Sequence, residues 1–145
     1  MDARPGTRRR WFAPELHCRV PSTLGYASLF FDPRVGKYRL YYETLLDMAN
    51  DDLRVLKLLE SDDLQTFTQV LAEDGSDVIV DYNGHVHGAA VLYDPRESDP
   101  ARRYKRFGMY GIEDGKKGWM CPSFSPDGIH WTDRPDIVMQ TPFSD

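Results

Sequence analysis

Two short segments about sixty-four residues apart write one construction twice. In ESDDLQTF (60–67) and FSPDGIHW (124–131), a serine is followed by an aspartate and then by an aromatic residue: Ser61, Asp63 and Phe67, then Ser125, Asp127 and Trp131. Upstream, each half carries an apolar run closed by an Asp-Pro-Arg turn, LFFDPR (29–34) and VLYDPR (91–96). An aromatic-rich segment follows in each, KYRLYYE (37–43) and RYKRFGMY (103–110). The correspondences fall in the same order in both halves. A repeat at this spacing constrains the fold strongly, because each copy is one supersecondary unit that must cover its apolar faces by stacking on a neighbour.

Alternation of apolar and polar residues marks the units as β from residue 26 onward. YASLFF and YRLYYE are joined by DPRVGK, where Pro33 presets φ and Gly36 permits a positive φ. RVLKLLES and LQTFTQV follow as a second hairpin. GAAVLY, RYKRFGMYGI, GWMCPSFS and IHWTD repeat the series. Helical spacing competes only in ETLLDMANDDLRVLKLLE, where Asn50, Asp51 and Asp52 interrupt it, so a loop and then a strand is expected there.

The resulting expectation is an all-β chain of two four-stranded antiparallel blades, an incomplete β-propeller. Residues 1–24 form a tail with a closing strand, 25–75 the first blade, 76–139 the second, and 140–145 the start of a third. Trp131 and Phe67 are expected on the outer strands, covering the joints between blades.

Charge narrows the function classes. The chain of 145 residues has a formal charge of −5, yet Arg4, Arg8, Arg9 and Arg10 against Asp2 make its first ten residues +3, which leaves −8 for the remainder. An acidic body argues against a nucleic-acid groove and against an anionic membrane face. No window approaches the roughly 18 apolar residues of a membrane span, and no secretion signal is recognisable, so the cytoplasm is the default expectation. Cys18 and Cys121 lack the spacing of a metal knuckle or a disulfide framework and read as buried thiols.

GYASLFFDPRVGKYRLYYE, LESDDLQTFTQ, GHVHGAAVLYDPRESDPARRYKRFGMYG and SFSPDGIHWTDRP, taken together, resemble the N-terminal blades of five-bladed propellers of the glycoside hydrolase family 32 and 43 superfamily. The similarity is to a bacterial family-32-like branch in particular and spans about residues 11–145. The resemblance implies a funnel at the propeller axis, lined by the first residues of the innermost strands, in which paired carboxylates act on a glycosidic bond. Here those starts fall at Gly25 and Tyr26 and at His85, Val86, His87 and Gly88. The first start carries no carboxylate where the characterised hydrolases carry an aspartate, so no catalytic residue is assigned. Asp32 and Asp94, at the far ends of the innermost strands, read as turn acceptors.

The candidate substrate-binding residues are Tyr26, Glu43, Asp81, His85, His87 and Asp145. His85 and His87 stand two apart, so on an extended strand they face the same way and can bind sugar hydroxyls, shuttle a proton, or join Asp81 at a metal. With one carboxylate nearby, no metal and no cofactor is expected. The other role open to the segment is a polar loop whose imidazoles cap exposed backbone. Glu43 is expected to end the second strand of the first unit, and Asp145 to open a third innermost strand.

Two function classes follow. The chain is a carbohydrate-active, glycoside hydrolase-like propeller fragment that binds or hydrolyses a glycan or oligosaccharide at the axis. Alternatively it is a noncatalytic β-repeat module, or a truncated fragment, whose open faces pair with other copies into a homo-oligomer that completes the ring.

Overall fold

A computed structural model describes residues 25–47, 50–81, 86–109, 119–134, 136–137 and 139–140. The closing strand expected within 1–24, and residues 141–145, lie outside them. The described chain is all-β, with two antiparallel sheets and a single 3-10 turn at Pro100–Arg102. No helix among the described residues is long and apolar enough to cross a membrane.

The first sheet contains β1 (Ala27–Asp32), β2 (Lys37–Asp47), β3 (Asn50–Ser61) and β4 (Thr68–Gln69), side by side in chain order. The second contains β5 (Ala90–Tyr93), β6 (Tyr104–Met109), β7 (Trp119–Ser125) and β8 (Thr132–Asp133) in the same order. β9 (Met139–Gln140) also pairs with β7. Among the described residues neither sheet closes on itself.

Turn chemistry explains the joints. In the first hairpin Asp32 Oδ1 accepts the Arg34 N–H at 2.9 Å and Gly36 takes φ 70°; in the second, Asp94 Oδ1 accepts the Arg96 N–H at 3.0 Å. The β2–β3 hairpin differs from expectation. Residues 50–52, read from sequence as a loop, belong to β3, and β2 continues past Glu43 to Asp47. Pairing of Glu43 with Leu56, Thr44 with Val55 and Leu45 with Arg54 carries the ladder outward, and a register shift between Leu45 and Asp47 absorbs the irregular polar end.

The two sheets are copies in register as well as in order. Phe31 pairs with Tyr38 and Tyr38 with Ser61, just as Tyr93 pairs with Tyr104 and Tyr104 with Ser125. Thr68 lies opposite Glu60 as Thr132 lies opposite Phe124, and Val80 bridges Leu56 as Met139 pairs with Met120. The serine-aspartate turns match atom for atom. Ser61 Oγ accepts the Leu64 N–H at 2.9 Å, and Asp63 Oδ1 accepts the N–H groups of Gln65 and Thr66 at 2.8 Å each. Ser125 Oγ accepts the Gly128 N–H at 2.8 Å, and Asp127 Oδ1 accepts those of Ile129 and His130 at 2.8 and 2.9 Å. Leu64 and Gly128 both adopt positive φ, 60° and 82°.

The sheets pack with unlike faces in contact. The first presents Ser28, Phe30, Asp32, Tyr41, Leu56 and Leu58; the second answers with Val91, Tyr104, Ile129 and Trp131. Side chains alternate across a strand, and Tyr104 occupies the register position of Tyr38. The inner face of the second sheet is therefore the counterpart of the first sheet's outer face. Packing is head to tail rather than back to back.

The junction has an apolar half and a polar half. Tyr41 packs edge-on to Trp131 at 6.4 Å and donates its hydroxyl to the Gly128 carbonyl at 3.0 Å. Beside it, Tyr104 donates to Asp32, and Arg39 reaches Asp32 at 3.3 Å and Glu60 at 2.9 Å while donating to the Asp127 carbonyl. Burial pushes the hydroxyls of Tyr41 and Tyr104 well above the usual tyrosine pKa, so both remain donors.

Candidate functional site

At the other end of the junction, the chain entering β1 and the chain entering β5 meet over one carboxylate. Glu43 faces the junction from β2 with its side chain buried. Its backbone ties down the start of β1: the Glu43 N–H donates to the Tyr26 carbonyl at 3.1 Å, and the Gly25 N–H donates to the Glu43 carbonyl at 3.0 Å. A Cβ at position 25 would stand 3.2 Å from Glu43 Oε1, so glycine there lets the chain lie against the carboxylate.

The side chain holds the second unit. Oε1 accepts from Arg54 Nη1 at 2.9 Å and lies 3.1 Å from His87 Nδ1; Oε2 accepts the Gly88 N–H at 2.9 Å. Gly88 takes φ 65° as its N–H meets Glu43, and the Val86 N–H donates to the Arg54 carbonyl at 3.0 Å. Residues 86–88 are thus fastened to the first sheet by two backbone hydrogen bonds and one imidazole. An ionised carboxylate can only accept, so Nδ1 is the donor in this contact. The Tyr26 ring, 58% exposed, meets the His87 ring edge-on at 5.4 Å.

Of the residues singled out from sequence, the structure brings Tyr26, Glu43 and His87 together. Asp81 is exposed and follows Val80, which bridges Leu56, so it lies where the chain passes the Arg54 end of β3. His85 and Asp145 lie outside the described residues. Among the described residues no group of three or more histidine, cysteine, aspartate or glutamate side chains is placed to hold a metal ion.

Sequence reasoning missed Arg54, and it named Gly88 as a strand start without giving it a role. The signal for Arg54 lay in the hairpin register, which sets Leu45 opposite Arg54 and so puts the arginine diagonally beside Glu43 on one face. The signal for Gly88 was its place directly after the histidine, at the entry to a strand.

Chemically, Glu43 is held by three donors and is a positioning group. The side chains with surface at this site are the Tyr26 ring, the His87 imidazole and the Arg54 guanidinium, the last two about one-third exposed. An aromatic face beside hydrogen-bonding nitrogens suits a polyhydroxylated ring. Comparisons of the chain with protein-family models, with curated proteins and with solved structures find no match in any of the three.

Proposed function

We propose that the chain is a carbohydrate-binding array of propeller type, and that Tyr26, His87 and Arg54 form its glycan subsite. The observation that supports this most is the convergence of both strand entries on Glu43, since the same residues of successive repeats meet on one side of the junction. In a propeller that side is the axis, where ligands are bound. Tyr26 supplies a stacking surface, His87 and Arg54 bind hydroxyls, and Glu43 fixes the imidazole. Binding rather than hydrolysis is the activity the site favours, because its buried carboxylate is committed to three donors and glycoside cleavage needs a pair of carboxyl groups flanking the bond.

The test is titration calorimetry of the full chain against a panel of neutral and acidic oligosaccharides. Tyr26→Ala removes a largely exposed ring and is expected to weaken binding about tenfold, with little change in melting temperature. Absence of binding to every sugar, or an affinity indifferent to Tyr26, overturns the proposal.

A second reading, a noncatalytic repeat module that associates with copies of itself, is favoured by the apolar residues exposed on the two outward sheet faces, Leu29 and Phe31 on one and Leu92 on the other.

A further inference from the structure

The two outward faces carry exposed counterparts of residues that the molecule's own junction buries. On the face of the first sheet turned away from the second, Leu29 is 53% and Phe31 52% exposed, whereas Val91, in Leu29's register position, is 6% exposed. On the far face of the second sheet Leu92 is 51% exposed, whereas Phe30, its counterpart, packs against the core. At these positions each sheet is covered where the other is exposed, while the β2–β3 half of the first sheet's outer face, with Tyr42, Val55 and Leu59, is already buried.

The polar half of the junction repeats the pattern. Asp94 matches Asp32 in its turn, and Lys105 Nζ holds Asp94 Oδ2 at 2.8 Å where Arg39 holds Asp32 Oδ2. Asp32 is wholly buried under the Tyr104 hydroxyl, but the Asp94 side chain is 23% exposed. Tyr38, in the position of Tyr104, lies on the outer face of the first sheet with its ring edge-on to Phe31 at 5.3 Å. Charge is complementary too. Arg34 donates to the Pro126 carbonyl in the serine-aspartate turn that docks on the first sheet. Its counterpart Arg96 is exposed, and the equivalent turn of the first sheet is acidic, with Asp62 and Asp63. Tyr41, whose hydroxyl would stand 2.2 Å from a Cβ at Gly128, is answered by Phe107, and glycine's place is taken by Leu64, so room and bulk are exchanged together.

We propose that a second copy of this chain docks the outer face of its first sheet on the outer face of the second sheet, with the partner's Tyr38 donating to Asp94 and the partner's Asp62 turn lying over Arg96. This deepens the self-associating reading, rests on the head-to-tail stacking seen within the chain, and is independent of the glycan subsite. The contact is heterologous, so it propagates until a ring closes.

Sedimentation velocity of the full chain over a concentration series tests it, with Leu92→Asp and Phe31→Asp each removing one face. The wild type is expected to associate, each variant alone to be monomeric, and an equimolar mixture of the two to form a one-to-one pair and nothing larger, because each brings the face the other lacks. Tyr38→Phe keeps the ring and is expected to weaken association about tenfold without moving the melting temperature. A monomeric wild type, self-association surviving in either variant, a mixture that does not pair, or association indifferent to the Tyr38 hydroxyl overturns the proposal. Glycan titration of the same samples separates this outcome from the binding proposal, since both faces lie away from Tyr26 and His87.

Discussion

The hydroxyl of Tyr104 hydrogen-bonds to Asp32 across 72 residues of sequence, joining the second strand of one sheet to the last residue of the first strand of the other. Asp32 is wholly buried, and the same carboxylate meets Arg39, itself buried. Removing the acceptor leaves a buried guanidinium short of a partner and a buried hydroxyl with none, so Asp32→Ala is expected to cost about 3–5 kcal/mol. Tyr104→Phe removes one donor and is expected to cost about 1–3 kcal/mol. Urea unfolding of both variants checks the order; a costlier Tyr104→Phe would show that the junction does not depend on the carboxylate.

Gly128 and Gly75 separate backbone strain from crowding. Both take positive φ, 82° and 80°, but a Cβ at 75 meets nothing within 4 Å, whereas one at 128 would stand 2.2 Å from the Tyr41 hydroxyl and 3.0 Å from the Tyr104 ring. Gly75→Ala is expected to cost about 1 kcal/mol for the left-handed backbone alone. Gly128→Ala adds overpacking of about 1–3 kcal/mol and pries the turn off the first sheet. Equal losses in denaturant melts would mean that the turn does not press on Tyr41.

How much of this was legible in the sequence follows from the range of each contact. The serine-aspartate turns and Asp-Pro-Arg turns close within a few residues, so composition and spacing displayed them, and the roles of Asp32 and Asp94 as turn acceptors were readable for the same reason. Trp131 was placed at the joint by its offset from Asp127, and it packs there against Tyr41. The Asp32–Arg39–Tyr104 cluster was invisible, because it depends on how one sheet is set against the other. Glu43 was expected to end its strand; the ladder runs on to Asp47, and burial of Glu43 with Arg54 and His87 depends on a bulged hairpin register that apolar alternation does not determine.

The Asp127–His130 pair predicts a stability optimum in pH. Burial works against ionisation of Asp127, but hydrogen bonds from the His130 backbone and side chain, the Ile129 N–H and Ser125 outweigh it and bring its pKa down to about 2. His130 is raised above its usual value by its hydrogen bond to Asp127. The aspartate's contribution is present above its unfolded pKa of about 4 and is lost as pH falls toward 2. The histidine's is present below about 6.5 and is lost as pH rises through its higher folded value. Melting temperature is therefore expected to be highest between about pH 4 and 6.5, and His130→Ala to flatten the alkaline side. A neutral-pH decline unchanged in that variant would assign it to another group.

Glu43 offers the sharpest division between charge and shape. Glu43→Ala removes one acceptor from Arg54, His87 and the Gly88 N–H together, and is expected to destabilise by about 3–5 kcal/mol. Glu43→Gln keeps the volume and one carbonyl oxygen for Gly88 N–H or His87 Nδ1–H, but turns an amide donor toward a neighbouring donor, so a smaller loss of about 1–3 kcal/mol is expected. Urea unfolding of the wild type and both variants reads the difference: the Glu43→Ala loss is expected to exceed the Glu43→Gln loss, and equal losses would mean that the hydrogen-bonding shape at position 43 contributes nothing. Hydrogen exchange at Gly88 gives the structural counterpart, with protection expected to fall in Glu43→Ala and to survive in part in Glu43→Gln.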